Sequence, residues 1–198
     1  SVGSTNDELV SELMRDADAW PDFSIYGTEF QNAGKGRLDR QWTVQPGEAL
    51  TFSTVFRAQV SENLGWVPLL TGWAVVQAIR DLGVDASVKW PNDVLIDGKK
   101  VCGILCRYVS EAGAIVIGSG INVHMNNLPV DTATSLHHHG DIDRAELLAR
   151  IMLHLHSALT DAFESDQPEH SHAVTQACSL ISTAVSYTHL TLPTTPYV

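Results

Sequence analysis

Apolar positions near the start of the chain recur at helical spacing: Leu9, Val10, Leu13, Met14 and Ala17. The polar run Thr5-Asn6-Asp7-Glu8 ahead of them reads as a capping box, and Trp20-Pro21 ends the helix. Residues 24–31 read as a strand running into a polar loop over 32–41. Residues 50–59 are rich in β-formers and predict a central strand. From 65 to 82, Trp66, Leu69, Leu70, Trp73, Val76 and Ile79 form a stripe broad enough for a buried helix, closed by Gly83. Strands are predicted over 87–90, 101–108 and 114–123, with Asp97-Gly98 as a hairpin turn. A second amphipathic helix over 143–164 places Leu147, Leu148, Ile151, Met152, Leu155 and Leu159 on one side. This order of elements, with hairpins between strands, predicts an α+β fold: a mixed, largely antiparallel sheet flanked by helices.

The length, 198 residues, suits one sizeable domain with the beginning of another. The main domain is expected over 1–172, and a further motif begins over 173–185. Residues 186–198 change character abruptly; they are Thr/Pro-rich and without acidic groups, and are set aside as a non-native tail. The net charge of −11 argues against nucleic acid as a partner, because phosphate backbones need a cationic face. The few cations are nonetheless concentrated. Lys35, Arg37 and Arg40 share one loop, and Lys89, Lys99 and Lys100 share one hairpin. A local cationic pocket in an acidic protein suggests a small anion such as a nucleotide phosphate. Three cysteines give no disulfide framework. Cys102 and Cys106 would share a strand face roughly 13 Å apart, at about 3.3 Å per residue, too far to bridge. A reducing cytoplasm is the expected compartment, and no membrane partner is expected, since no apolar run reaches spanning length.

Four segments carry residues that a core does not need. In Lys89-Trp90-Pro91-Asn92-Asp93, Pro91 locks its own φ and holds Trp90 extended, while Asn92 and Asp93 suit a turn. The following hairpin delivers Lys100 to the head of a strand. In Gln31-Asn32-Ala33-Gly34-Lys35-Gly36-Arg37, two glycines flank a lysine; they allow close backbone approach to a ligand, and Arg37 and Arg40 can grip phosphate bidentately. Trp42 offers a face for stacking on a base. Ser4-Thr5-Asn6 can serve as a helix cap or bind an amide or ureido group. In Gly118-Ser119-Gly120-Ile121-Asn122, paired glycines mark a bulge or a ligand approach, and Asn122 could meet phosphate or ribose. His137-His138-His139 reads as a surface loop, since consecutive residues converge poorly on one ion. No nucleophile–base set stands out.

Together these segments resemble the bacterial biotin–protein ligase family, the biotin–[acetyl-CoA carboxylase] ligases, in order and spacing from Ser4 to about Phe163. The resemblance implies the catalytic domain of the biotin–lipoate ligase type, related to class II aminoacyl-tRNA synthetases. It implies biotin contacts from Ser4, Thr5, Asn6, Gln31, Gly34, Lys35, Gly36, Arg37, Lys100, Gly103, Gly118 and Gly120. ATP contacts would come from Arg37, Arg40, Trp42, Asn92, Asp93, Lys100 and Asn122, with Lys100 and Arg37 acting on the reacting groups. Lys100, rather than Lys89, matches the lysine that meets the carboxylate and α-phosphate. The implied substrates are biotin and ATP with Mg²⁺, and the protein supplies no metal site of its own. The implied acceptor is a lysine of a biotin carboxyl carrier protein, and a homodimer is one expected assembly. A non-catalytic biotin or biotinyl-AMP binder and a lipoate–protein ligase are the alternatives. Lys35 stands where the family usually has arginine, keeping the charge without the planar fork. The family's small C-terminal β domain is expected to open with a strand from Ala177, after which the match breaks, and the repressor-type version with a helix-turn-helix domain is not expected.

Overall fold

The computed structural model describes residues 1–36, 41–57, 64–128, 130–164 and 167–181. Helix α1 spans Thr5–Arg15. The strands β1 (Ile25–Thr28), β2 (Gly34–Lys35), β3 (Gln41–Trp42) and β4 (Ala49–Phe56) follow, then α2 (Trp66–Asp81). Next come β5 (Ser87–Lys89), β6 (Asp93–Ile96), β7 (Lys99–Val109) and β8 (Ala114–Asn122), and last α3 (Arg144–Phe163) and α4 (His172–Ser179). Six strands form one sheet in the order β1-β4-β8-β7-β6-β5, and β2 pairs with β3 separately. Every strand pairing in both sheets is antiparallel. The α+β expectation holds, with a sheet more uniformly antiparallel than "mixed" implies.

Strand alternation assigns the two faces of the sheet different work. Phe52, Ile104, Ile117 and Ile121 point into the main core beneath α2, α3 and α4. Their neighbours Val55 and Val116 point the other way and pack with Leu9 and Leu13 of α1. Helix α2 is apolar nearly all round because it lies between the sheet and the other two helices, which is why its stripe in the sequence was so broad. Asp97 and Gly98 have φ of 50° and 75°, the geometry of the predicted tight hairpin turn.

Two local expectations are corrected. The first concerns residues from 172 onward, which do not open with a strand. Ser171 accepts a hydrogen bond from the Val174 amide, and Ala173, Val174 and Ala177 are buried at helical spacing, so α4 runs through Ser179. Strand character starts only where the Val88 amide donates to the Leu180 carbonyl at 3.0 Å and Ile181 bridges to Val88. Residues 182–185 and the proposed tail at 186–198 lie outside the described residues. The second concerns the start of α1. Its N-cap is Ser4, whose side chain makes no capping bond, so the predicted capping box does not form. Among the described residues no helix is long and apolar enough to cross a membrane.

Candidate active site

The side chains that could have capped α1 turn into the sheet instead. The Thr5 amide donates to Gln31 Oε1 at 2.7 Å, and Ser53 Oγ donates to Thr5 Oγ1 at 2.9 Å. Asn6 Nδ2 reaches the Leu105 carbonyl at 3.1 Å, but Asn6 Oδ1 is buried without a partner. The floor beneath them is glycine. A Cβ on Gly118 would lie 2.9 Å from Asn6 Nδ2, and one on Gly120 would lie 2.7 Å from two carbons of the Trp42 indole. A Cβ on Gly34 would sit 2.3 Å from the Trp42 carbonyl, so β2 and β3 close on each other only because that side chain is absent. Trp42 therefore lies over the glycine floor, with its Nε1 buried and unpartnered.

Lys100 reaches the same hollow through an irregularity. Val94 pairs with Cys102, yet the next residue, Leu95, pairs with Lys100, which leaves Val101 as an extra residue in β7. Val101 and Cys102 are both in the helix-side core. The bulge thus lets Lys100 face the same side as Gly103, where its Nζ lies 3.1 Å from a Cβ built on that glycine. Lys100 Nζ is 2.7 Å from Asp93 Oδ1. Its backbone is clamped on the other side: the Lys100 amide donates to the Thr132 carbonyl and the Thr134 amide donates to the Lys100 carbonyl, each at 2.8 Å. Asn92 Nδ2 donates to the Ile104 carbonyl at 2.9 Å, binding the Trp-Pro-Asn-Asp corner to β7.

One cavity gathers Ser4, Thr5, Asn6, Gln31, Lys35 and Gly36 together with Trp42, Asn92, Lys100, Gly103, Gly118 and Gly120. Thr51, Ser119, Ile104 and Leu105 complete its lining. Its open volume is about 60 Å³, small beside the roughly 300–1,000 Å³ of ordinary ligand pockets, because the Trp42 indole lies over the floor. A larger groove, about 750 Å³, lies between β1, β4 and the start of α3. It holds none of the predicted residues, and its Arg144 is engaged by Glu29 at 2.6 Å and by the Ala49 carbonyl.

Most predicted residues therefore converge, and a few do not. Asn122 is no lining residue: its amide donates to the Thr134 carbonyl at 2.9 Å, so it fixes the following loop instead of facing a ligand. Asp93 also stays off the lining and acts as the partner of Lys100. Gly34 shapes the wall through its contact with Trp42. Trp90 takes no part in the lining. Arg37 and Arg40 lie outside the described residues. Thr51 and Ser53 were missed by the sequence reading, although two hydroxyls alternating within a buried strand were a usable signal. Cys102, on the helix face of β7, is fully buried; desolvation pushes its thiol up to about 12, which makes it inert.

A glycine-floored hollow on one face of an antiparallel sheet, lined by amide side chains and an ion-paired lysine, is suited to holding a small acid beside a nucleotide. The model of the biotin/lipoate A/B protein ligase family matches residues 2–126, more than half of the chain, and the chain belongs to that family. Similar curated proteins include biotin ligases. The bifunctional ligase/repressor BirA of Bacillus subtilis is 37% identical over 145 residues, covering 67% of this chain and 45% of its own. The biotin–[acetyl-CoA-carboxylase] ligase of Mycobacterium tuberculosis is 32% identical over 167 residues, covering 80% and 61%. The biotin protein ligase of Aquifex aeolicus, solved with biotin and ATP, superposes with a TM-score of 0.72 at 29% identity, covering 85% of this chain and 71% of that one. The chain thus spans about half the length of the bifunctional relative.

Proposed function

We propose that this chain joins biotin to ATP as biotinyl-5′-AMP and passes the biotinyl group to a lysine of a biotin carboxyl carrier protein. The observation that carries the reading is the polar lining of the cavity. Among its lining residues Asn6 Oδ1, Thr51 Oγ1 and Trp42 Nε1 are buried without hydrogen-bond partners. Buried polar atoms of this kind call for a polar ligand, and a ureido ring offers both N–H donors and a carbonyl acceptor. A dithiolane offers neither, which favours biotin over lipoate. Lys100 lines the same cavity.

In the first step a carboxylate oxygen of biotin bonds to the α-phosphorus and pyrophosphate departs. In the second, a neutral lysine amine bonds to the acyl carbon, AMP leaves, and the amine's surplus proton passes to solvent. Neither step needs an enzyme nucleophile. The protein's work is placement and charge stabilisation. Lys100, poised by Asp93, would turn its ammonium to the carboxylate and α-phosphate oxygens, and Arg37 and Arg40 would serve the remaining phosphate charge. Asn92 borders the cavity on the Lys100 side and suits the nucleotide end. Among the described residues no three His, Cys, Asp or Glu groups gather to hold a metal. Mg²⁺ would enter on the phosphates of ATP and belong to the substrate. Filling the cavity would require Trp42 to lift from the glycine floor. A reducing cytoplasm, where ATP is abundant and the cysteines stay free, is the compartment this reading requires.

The test is ATP–pyrophosphate exchange with biotin or lipoate as the acid. Exchange is expected with biotin and at most weakly with lipoate. Exchange that ignores biotin, or prefers lipoate, overturns the reading.

A further inference from the structure

The geometry points to Asp7 as a positioning residue that fixes the Lys35–Gly36 wall of the cavity and so slows escape of the acyl-adenylate. This rests on the biotin-activating reading above. Asp7 lies in the first turn of α1, directly after the cavity residues Thr5 and Asn6. Its two carboxylate oxygens serve two different cations from two different elements. Oδ2 is 2.6 Å from Lys35 Nζ on β2, and Oδ1 is 2.8 Å from Arg107 Nη1 on β7. One carboxylate thus ties the β2 edge of the cavity to α1 and to the central sheet.

The tie matters because of what else holds that edge. β2 and β3 form only a two-residue ladder, Gly34 with Trp42 and Lys35 with Gln41. Trp42 rests on the glycine floor by contact alone, since its Nε1 has no partner. Among the described residues of this small hairpin, Lys35–Asp7 is the one ion pair that reaches the body of the protein. Asp7 does not itself line the cavity. Its action on bound ligand passes through Lys35, which does. A carboxylate shared between two cations keeps its orientation better than one in a single exposed pair. Arg107 therefore supports the contact from the strand side, with its side chain about half exposed.

The experiment compares the intact protein with Asp7→Asn, Asp7→Glu, Lys35→Gln and the Asp7→Asn/Lys35→Gln double variant. Amide hydrogen exchange over residues 34–42, read without ligand, tests the tie itself. Faster exchange is expected in Asp7→Asn and near-normal exchange in Asp7→Glu. Release of labelled biotinyl-AMP after a single turnover tests the consequence. Asp7→Asn should release it roughly 3- to 10-fold faster, with the rate of pyrophosphate formation at saturating substrates changed less than 2-fold, in line with a coupling of the size surface networks give. The double variant should leak no faster than Lys35→Gln alone. Unchanged hairpin exchange in Asp7→Asn, or leakage that adds independently to that of Lys35→Gln, overturns the assignment. A protein lacking biotin-dependent pyrophosphate exchange would instead sink the reading of the site, while the amide-exchange comparison would still decide the tie.

Discussion

Gly120→Ala is the sharpest probe of how the cavity is built. The added methyl would stand 2.7 Å from Cε2 and Cζ2 of Trp42. Carbon atoms rest at about 3.5–4.0 Å, so the indole must retreat by roughly 1 Å. It cannot retreat freely, because the Trp42 carbonyl is packed against Gly34 and its backbone is paired to β2. Overpacking of this sort costs about 1–3 kcal/mol. For a domain of this size each kcal/mol lowers Tm by about 2–4 °C, so a fall of roughly 2–12 °C is expected by calorimetry. Biotin affinity, measured by titration calorimetry, should fall as well, since the methyl occupies the floor. The sign should reverse once the indole is removed. In a Trp42→Ala background the methyl has room, and alanine in a strand is favoured over glycine by about 0.5–1 kcal/mol. A Gly120→Ala protein that melts at or above the parent temperature with Trp42 present would refute the stacked arrangement.

Lys100→Ala should abolish biotin-dependent pyrophosphate exchange while shifting Tm by no more than about 4 °C, because the Lys100–Asp93 pair is partly open to solvent; retained exchange would remove Lys100 from the chemistry. Cys102 should resist alkylation at pH 8 in the folded protein and react at once on unfolding, its thiol being held near 12 by burial. The same shift sets a sign for stability. The contribution is complete below the ordinary thiol pKa near 9 and is lost as pH rises from there through about 12. Cys102→Ala should therefore melt with a shallower alkaline decline. Asp143→Ala removes the carboxylate that accepts the Glu146 amide at 2.8 Å at the start of α3, and should cost about 1 kcal/mol by urea titration without altering exchange.

The long elements were legible because their apolar spacing repeats often enough to identify a period. α2 and α3 appear within a residue or two of their expected ends. The cavity was legible as a set of segments, since glycines, amides and a lysine at those spacings serve no core. Short elements were less legible. Ala173, Val174 and Ala177 carry only one turn of helical period, and the β-rich residues after them suggested a strand. The partners of polar groups were also hidden. Ser4-Thr5-Asn6 satisfies every local rule for a helix cap, and only the distant Ser53 and Leu105 draw the Thr5 and Asn6 side chains away, while Gln31 takes the Thr5 amide. Asn122 lies off the cavity lining for the same reason, because its partner at Thr134 lies across a loop. Asp7 looked like an ordinary acidic first-turn residue until Arg107, a hundred positions later, came beside it.

The extra residue at Val101 bears on how this stretch of chain can change length. Strand pairing on either side of it is continuous, so the register of β7 against β8 stays anchored from Cys102 onward. Deleting the single codon for Val101 would restore plain alternation, and Lys100, now directly before Cys102, would still face away from the oily side of the sheet where α2 lies. Such a frame-preserving loss should therefore keep the lysine's aim and cost the protein only the buried valine's packing. Working versions of this domain one residue shorter between the hairpin turn and Cys102 should accordingly occur, with the lysine still opposite Leu95.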